Sequence, residues 1–99
     1  MLDIRENEKD GCLCVNVAGR LDSTTAPKLQ KELESRMDSA ESLVIDMEDL
    51  EYISSAGLRV LLVAQKTMDP KGGMKLLHVN ENILDIFELT GFSDILTIE

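Results

Sequence analysis

Apolar residues in this chain change their period segment by segment, and the order of those changes restricts the fold more than any other feature. Two alternating stretches come first: "MLDIRE", with Leu2 and Ile4 on one side, and "CLCVNVAG", with Leu13, Val15 and Val17 together. A period of two is that of a half-buried strand. Between them "NEKDG" reads as a turn, with Gly11 free to take a positive φ, so the pair forms a hairpin. From there helical and strand-like periods alternate. "TTAPKLQKELESRMDS" is predicted to be a helix capped by Thr24 or Thr25, with Pro27 in its first turn. Ala26, Leu29, Leu33 and Met37 form its buried stripe, and Glu32 and Arg36 pair on its exposed side.

"SLVIDM" is predicted to be a short strand buried on both faces. A helix from about Ser55 to Met68 follows and is closed by "DPKGG". Its apolar density would also suit a strand, but its length favours a helix. "MKLLHV" is a further strand. Residues 82–90 form a third helix carrying Ile83, Ile86, Phe87 and Leu89, with Gly91 as its C-cap, and "SDILTI" is a last strand. The order is β-β-α-β-α-β-α-β. Strands joined through helices must run parallel, so the expected fold is α/β, a mixed and mostly parallel sheet with helices packed on it. The 99 residues fit one domain, 1–99, large enough to fold without a disulfide or a metal.

Charge narrows the function. Ten basic against nineteen acidic residues leave a net charge of −9. That surface repels phosphate backbones and anionic lipid, so neither nucleic-acid binding nor membrane insertion is expected. The N-terminal stretch has no signal-peptide pattern, and the expected location is cytoplasmic. Cys12 and Cys14 fall on one face of a strand in a spacing that is neither redox nor metal-binding, which reads as structural. Asp22, Asp46 and Asp49 invite a magnesium reading, but in so acidic a chain they read as solvated surface, and no metal or other cofactor is expected.

The segment "YISSAGLRVLL" places two hydroxyls at the start of a helix. Ser54 fits an N-cap. A nucleophilic role for either serine would need His78 as base, and the surrounding S-S-A-G is not a nucleophile elbow, so no enzyme is expected, with a serine hydrolase the distant alternative. A third role is modification: phosphate at a helix N-terminus meets free backbone donors and the favourable end of the dipole, while a docked partner would be repelled.

"DMEDLEYISSAGLRVLL" closely resembles the signature of STAS domains, in particular bacterial anti-sigma-factor antagonists. "VAGRLDSTTAPKL" resembles the family's Gly-x-Leu/Ile-Asp marker before a capped helix, and "ELTGF" its region before the last strand. The similarity covers nearly the whole chain. It implies that Ser55, two residues before Gly57-Leu58, is the phosphoacceptor, with Ser54 a lesser candidate. Asp22, Ser23, Thr24, Ser54, Ser55, Ala56, Gly57 and Leu58 would form the partner-binding surface, and Asp46 matches the family's strand-end aspartate. The implied partners are an anti-sigma factor with serine kinase activity and a cognate phosphatase, with a second copy of the chain as a further candidate. Other members serve as accessory subunits of transport ATPases or as phosphatase regulators. Two positions depart from the family pattern: Ser54 stands where Asp is usual, and Ala56 replaces Ser or Thr.

Overall fold

The computed structural model describes residues 2–99. Strands β1 (Leu2–Lys9) and β2 (Cys12–Leu21) form the hairpin. Its turn is only Asp10-Gly11, at φ +53° and +84°, the left-handed pair that matches the twist of a two-residue hairpin. "NEK", expected in the turn, therefore belongs to β1, where Lys9 pairs with Cys12.

Helix α1 (Ala26–Met37) carries Pro27 in its first turn and buries Ala26, Leu29, Leu33 and Met37, as its periodicity predicts. Two local expectations are corrected. Thr25 occupies the cap position, as expected, but makes no side-chain cap bond: its hydroxyl donates to the Arg20 carbonyl, while the carboxylate of Asp22 accepts the N–H groups of Thr24 and Thr25. Arg36 turns away from Glu32 to Glu6 on β1, with Nε 3.0 Å from Oε2.

Strand β3 is not the short, doubly buried segment expected. It runs twelve residues, Ser42–Ile53, with Leu43, Ile45 and Met47 buried while Val44 and Asp46 are half-buried and Glu48 is exposed. The polar "EDLEY" extension keeps pairing with β2 because two register irregularities, between Asn16 and Ala18 and between Gly19 and Arg20, absorb the mismatch. Helix α2 (Ser55–Met68) has the expected bounds, and β4 (Met74–Leu77) follows. Helix α3 (Glu81–Thr90) is capped by Asn80, whose Oδ1 accepts the Ile83 N–H at 2.9 Å, and ends in Gly91 at φ +83°. Ile83 and Phe87 are buried and Ile86 is partly so. Leu89, expected in the stripe, is 87% exposed.

The sheet order is β1-β2-β3-β4, antiparallel across the hairpin and parallel thereafter. The predicted last strand is not formed. A 3₁₀ turn at Phe92–Asp94 consumes its first residues, and one bridge, Leu76 to Ile98, is what remains beside β4. The Thr97 N–H goes to the Gln65 side chain of α2 rather than to a sheet partner. One core collects the inward residues of all four strands and of the three helices. The sheet's opposite face, with Cys12, Cys14, Asn16, Val44, Asp46 and Glu48, is half-buried or exposed. No helix among the described residues is long and apolar enough to cross a membrane.

Candidate functional site

β2 and β3 are parallel neighbours, and their register runs to Leu21 opposite Ile53, so both strands stop level. Their exits therefore meet at one edge, the C-terminal edge at which parallel sheets present their sites. After β2 comes the loop 22–25; after β3 come Ser54 and the start of α2. The Ser54 N–H donates to the Leu21 carbonyl at 2.8 Å and stitches the two exits together.

The loop is built on Asp22. Its Oδ1 accepts the Thr24 hydroxyl at 2.7 Å and the N–H groups of Thr24 and Thr25 at 3.0 and 3.1 Å. Thr25 closes the loop from the other side: Oγ1 accepts the Asp22 N–H at 2.9 Å and donates to the Arg20 carbonyl at 2.8 Å. The Thr24 hydroxyl first, then the backbone donors, hold the Asp22 carboxyl down from 3.8 to about 2, outweighing its partial desolvation. Asp22 thus stays ionised and fixes the loop's shape, leaving Ser23 and Thr24 exposed.

Ser54 has an extended backbone (φ −100°, ψ 175°), and its Oγ accepts the Gly57 N–H at 3.5 Å, a long cap bond. Ser55 is exposed at the first helical position. The N–H groups of a helix's first turn lack intrahelical acceptors, and α2 places no acidic side chain there. Gly57 is required by space. A Cβ at that position would stand 2.7 Å from Leu21 Cγ and 2.8 Å from Ile53 Cγ1. Of the residues expected to form the partner surface, Gly57 and Leu58 are buried, Leu58 to 5% exposure, so they anchor the face from beneath. Asp22, Ser23, Thr24, Ser54, Ser55 and Ala56 lie at or near the surface along this edge.

A groove of about 310 Å³ opens between α1 and α2, lined by Ser23, Pro27, Gln30, Ser55, Ala56 and Arg59 among others. Arg59, exposed one turn beyond Ser55, is not among the residues that sequence reasoning singles out. Its i+4 spacing from Ser55 is the available signal. The other highlighted aspartates lie elsewhere. Asp46 sits on the open face of the sheet, where Oδ1 accepts the Glu48 N–H at 3.0 Å and lies 3.0 Å from His78 Nδ1. Burial works to raise its pKa, but the Glu48 N–H and His78 together hold it low. In turn the hydrogen bond to Asp46, its charge and that of Glu48 raise the pKa of His78. Asp22, Asp46 and Asp49 do not form one cluster; the group brought together is Asp46, Glu48 and His78. Among the described residues no hydrogen bond joins His78 to either serine.

Residues 3–99 match the STAS domain signature. The chain belongs to the STAS domain family. This STAS domain is 34% identical over 98 residues to the anti-sigma-B factor antagonist of Bacillus subtilis (strain 168), covering 98% of this chain and 88% of that one. It is 37% identical over 91 residues to the putative anti-sigma factor antagonist BtrV of Bordetella bronchiseptica, covering 90% and 78%. Among solved structures, an anti-sigma factor antagonist from Mycobacterium paratuberculosis superposes with a TM-score of 0.89 at 25% identity, over 99% of this chain and 85% of that one.

Proposed function

We propose that this STAS domain is an anti-sigma-factor antagonist that regulates sigma-factor-dependent transcription. The loop 22–25 and the first turn of α2 dock onto an anti-sigma factor that is also a serine kinase. The kinase transfers the γ-phosphate of ATP to Ser55 Oγ, the hydroxyl proton leaves, and ADP departs. The phosphorylated domain then releases its partner, and a phosphatase restores the hydroxyl. The names and identities of the relatives support the circuit. The observation that carries the choice of residue is the exposed Ser55 hydroxyl at the opening turn of α2, beside a loop held rigid by Asp22.

Phosphate adds about −1.5 to −2 charge at neutral pH. At the first turn of α2 the helix end offsets part of that, by up to about 1 kcal/mol for an exposed site, so the fold tolerates it. A docked partner must bury the same group, and loss of one well-buried interface contact costs about 2 kcal/mol or more, roughly thirtyfold in affinity. The test has two arms. Phosphopeptide mapping after incubation with the kinase and ATP should place the label on Ser55. Titration calorimetry against the same kinase should then show the phosphorylated domain binding at least about thirtyfold more weakly, with Ser55→Asp intermediate. Label only on Ser54 or at a distant residue refutes the acceptor. Equal affinities for all three forms refute the switch.

A further inference from the structure

The open face of the sheet, away from α2 and its serines, carries a second cluster. β3 alternates, so Asp46 and Glu48 point to the same side, and register sets Asp46 opposite Leu77 at the end of β4. The next residue, His78, turns back through a left-handed backbone (φ +57°) and brings its ring to the two carboxylates. An imidazole nitrogen and two carboxylate oxygens, from β3 and from the residue after β4, lie within 4.8 Å of one another. From these contacts we infer that Asp46, Glu48 and His78 form a binding site for a divalent transition-metal ion, with zinc as its representative.

The dimensions decide what must move. A zinc ion lies about 2.0–2.2 Å from nitrogen and oxygen donors, so two donors of one tetrahedral ion stand no more than about 3.6 Å apart. His78 Nδ1 and Asp46 Oδ1, at 3.0 Å, already meet that limit. Closing the set from 4.8 Å takes a movement of about 1.2 Å, within the reach of the exposed, three-rotor Glu48 side chain. One nitrogen and two oxygens suit zinc and its first-row neighbours, while magnesium and calcium prefer oxygen alone. Three protein ligands leave a position for water, so the ion is held on the surface rather than built into the core.

A carboxylate only accepts, so in the metal-free protein His78 Nδ1 carries the proton donated to Asp46. Zinc takes the Nδ1 lone pair of the neutral ring, whose single proton then sits on Nε2; a doubly protonated ring releases one proton to solvent on binding. The net charge of −9 favours a cation's approach. Arg5 lines the neighbouring hollow with Asp3, Asn16, Asp46, Glu48 and Asp49 and is the opposing charge there.

The chain's single histidine makes the test direct. Cys12 and Cys14, with their sulfurs 3.9 Å apart on the same face of the sheet, are replaced by Ser in the test protein so that no thiol contributes to the signal. Zinc chloride is titrated in while the imidazole proton resonances are followed by NMR and the heat by calorimetry. The expected result is one-to-one binding with a shift of the His78 resonances. His78→Asn keeps a residue that tolerates positive φ, and Glu48→Gln keeps the side chain's shape; each should weaken zinc binding at least about tenfold. Magnesium should leave the imidazole resonances where they are. An unmoved His78 signal at equimolar zinc overturns the site, as does undiminished affinity in His78→Asn.

Discussion

Gly57→Ala should destabilise this domain, although alanine is the better helix former. Gly57 is a buried residue in the first turn of α2 and lacks the positive φ that would require glycine for its backbone. In a helix interior the exchange would gain about 1 kcal/mol, and less in a first turn. The added Cβ, however, would meet Leu21 Cγ at 2.7 Å, Ile53 Cγ1 at 2.8 Å and Leu21 Cδ2 at 3.0 Å. Both neighbours are buried and sit opposite each other at the paired ends of β2 and β3, so neither can retreat without breaking the last register pair. Overpacking of this kind costs about 1–3 kcal/mol. The net loss should be about 1–2 kcal/mol, a fall in Tm of roughly 5–15 °C for a domain of this size. Urea denaturation with the cycle Gly57→Ala, Leu21→Ala and the double variant isolates the cause. Truncating Leu21 removes two of the three close contacts, so the two costs should fall short of additive by about 1 kcal/mol. Additive costs, or a Gly57→Ala variant as stable as the parent, would refute the steric account. Gly91→Ala is the contrast: nothing stands within 4 Å of its Cβ, and its φ of +83° alone sets a cost of about 1–2 kcal/mol.

The two well-formed helix starts should differ in how much they depend on their caps. Ser54→Ala loses a 3.5 Å bond and should cost only about 0.5 kcal/mol, whereas Asn80→Ala loses a 2.9 Å cap and the 2.8 Å bond from Nδ2 to the Leu50 carbonyl, about 1–2 kcal/mol in urea melts. Equal losses would mean that the Ser54 bond is shorter in solution. Acid should loosen the loop 22–25 through Asp22: a depressed carboxylate contributes stability that is fully present above its ordinary 3.8 and is lost as pH falls through about 2. Tm against pH should therefore drop more steeply over that window in the parent than in Asp22→Asn, and parallel curves would remove Asp22 from its structural role.

Legibility from sequence depends on how far apart the interacting residues lie. The bounds of α2 can be read because the Ser54 cap and the buried positions Leu58, Leu61, Ala64 and Met68 fall within one local period. The hairpin is legible too, but not the shortness of its turn: Asp10 also adopts positive φ, so the two-residue turn leaves "NEK" to β1. The second half of β3 is hidden because its alternation slips where the pairing with β2 is irregular, and a charged "EDLEY" then reads as loop. The last strand fails for a tertiary reason: Gln65 of α2 takes the Thr97 N–H and the 3₁₀ turn shortens the segment. The threonines read as caps because of their type, whereas the Thr25 hydroxyl is drawn back to the Arg20 carbonyl and the Asp22 N–H instead of to the first turn of α1. His78 and Asp46 are 32 positions apart, and only the β3–β4 register brings them together.

That two adjacent serines can hold different duties arises from the geometry of a helix start. Ser54 is still extended, and its backbone is fully engaged: its N–H reaches Leu21 at 2.8 Å and its carbonyl receives the Leu58 N–H at 2.9 Å. Its hydroxyl is turned inward along the helix toward Gly57. One residue on, the chain has entered α2 and each step rotates a side chain by about 100°. Ser55 therefore points away from the Gly57 contact and into the groove shared with Gln30 and Arg59. Moving the hydroxyl pair one position toward the N-terminus would place its second hydroxyl at the cap, half-buried and bonded to the Gly57 N–H. The residue that prevents such a slip is Gly57, because the close approach of α2 to the ends of β2 and β3 admits no side chain at the third helical position. The Gly57-Leu58 pair, itself buried, thus sets which serine is exposed.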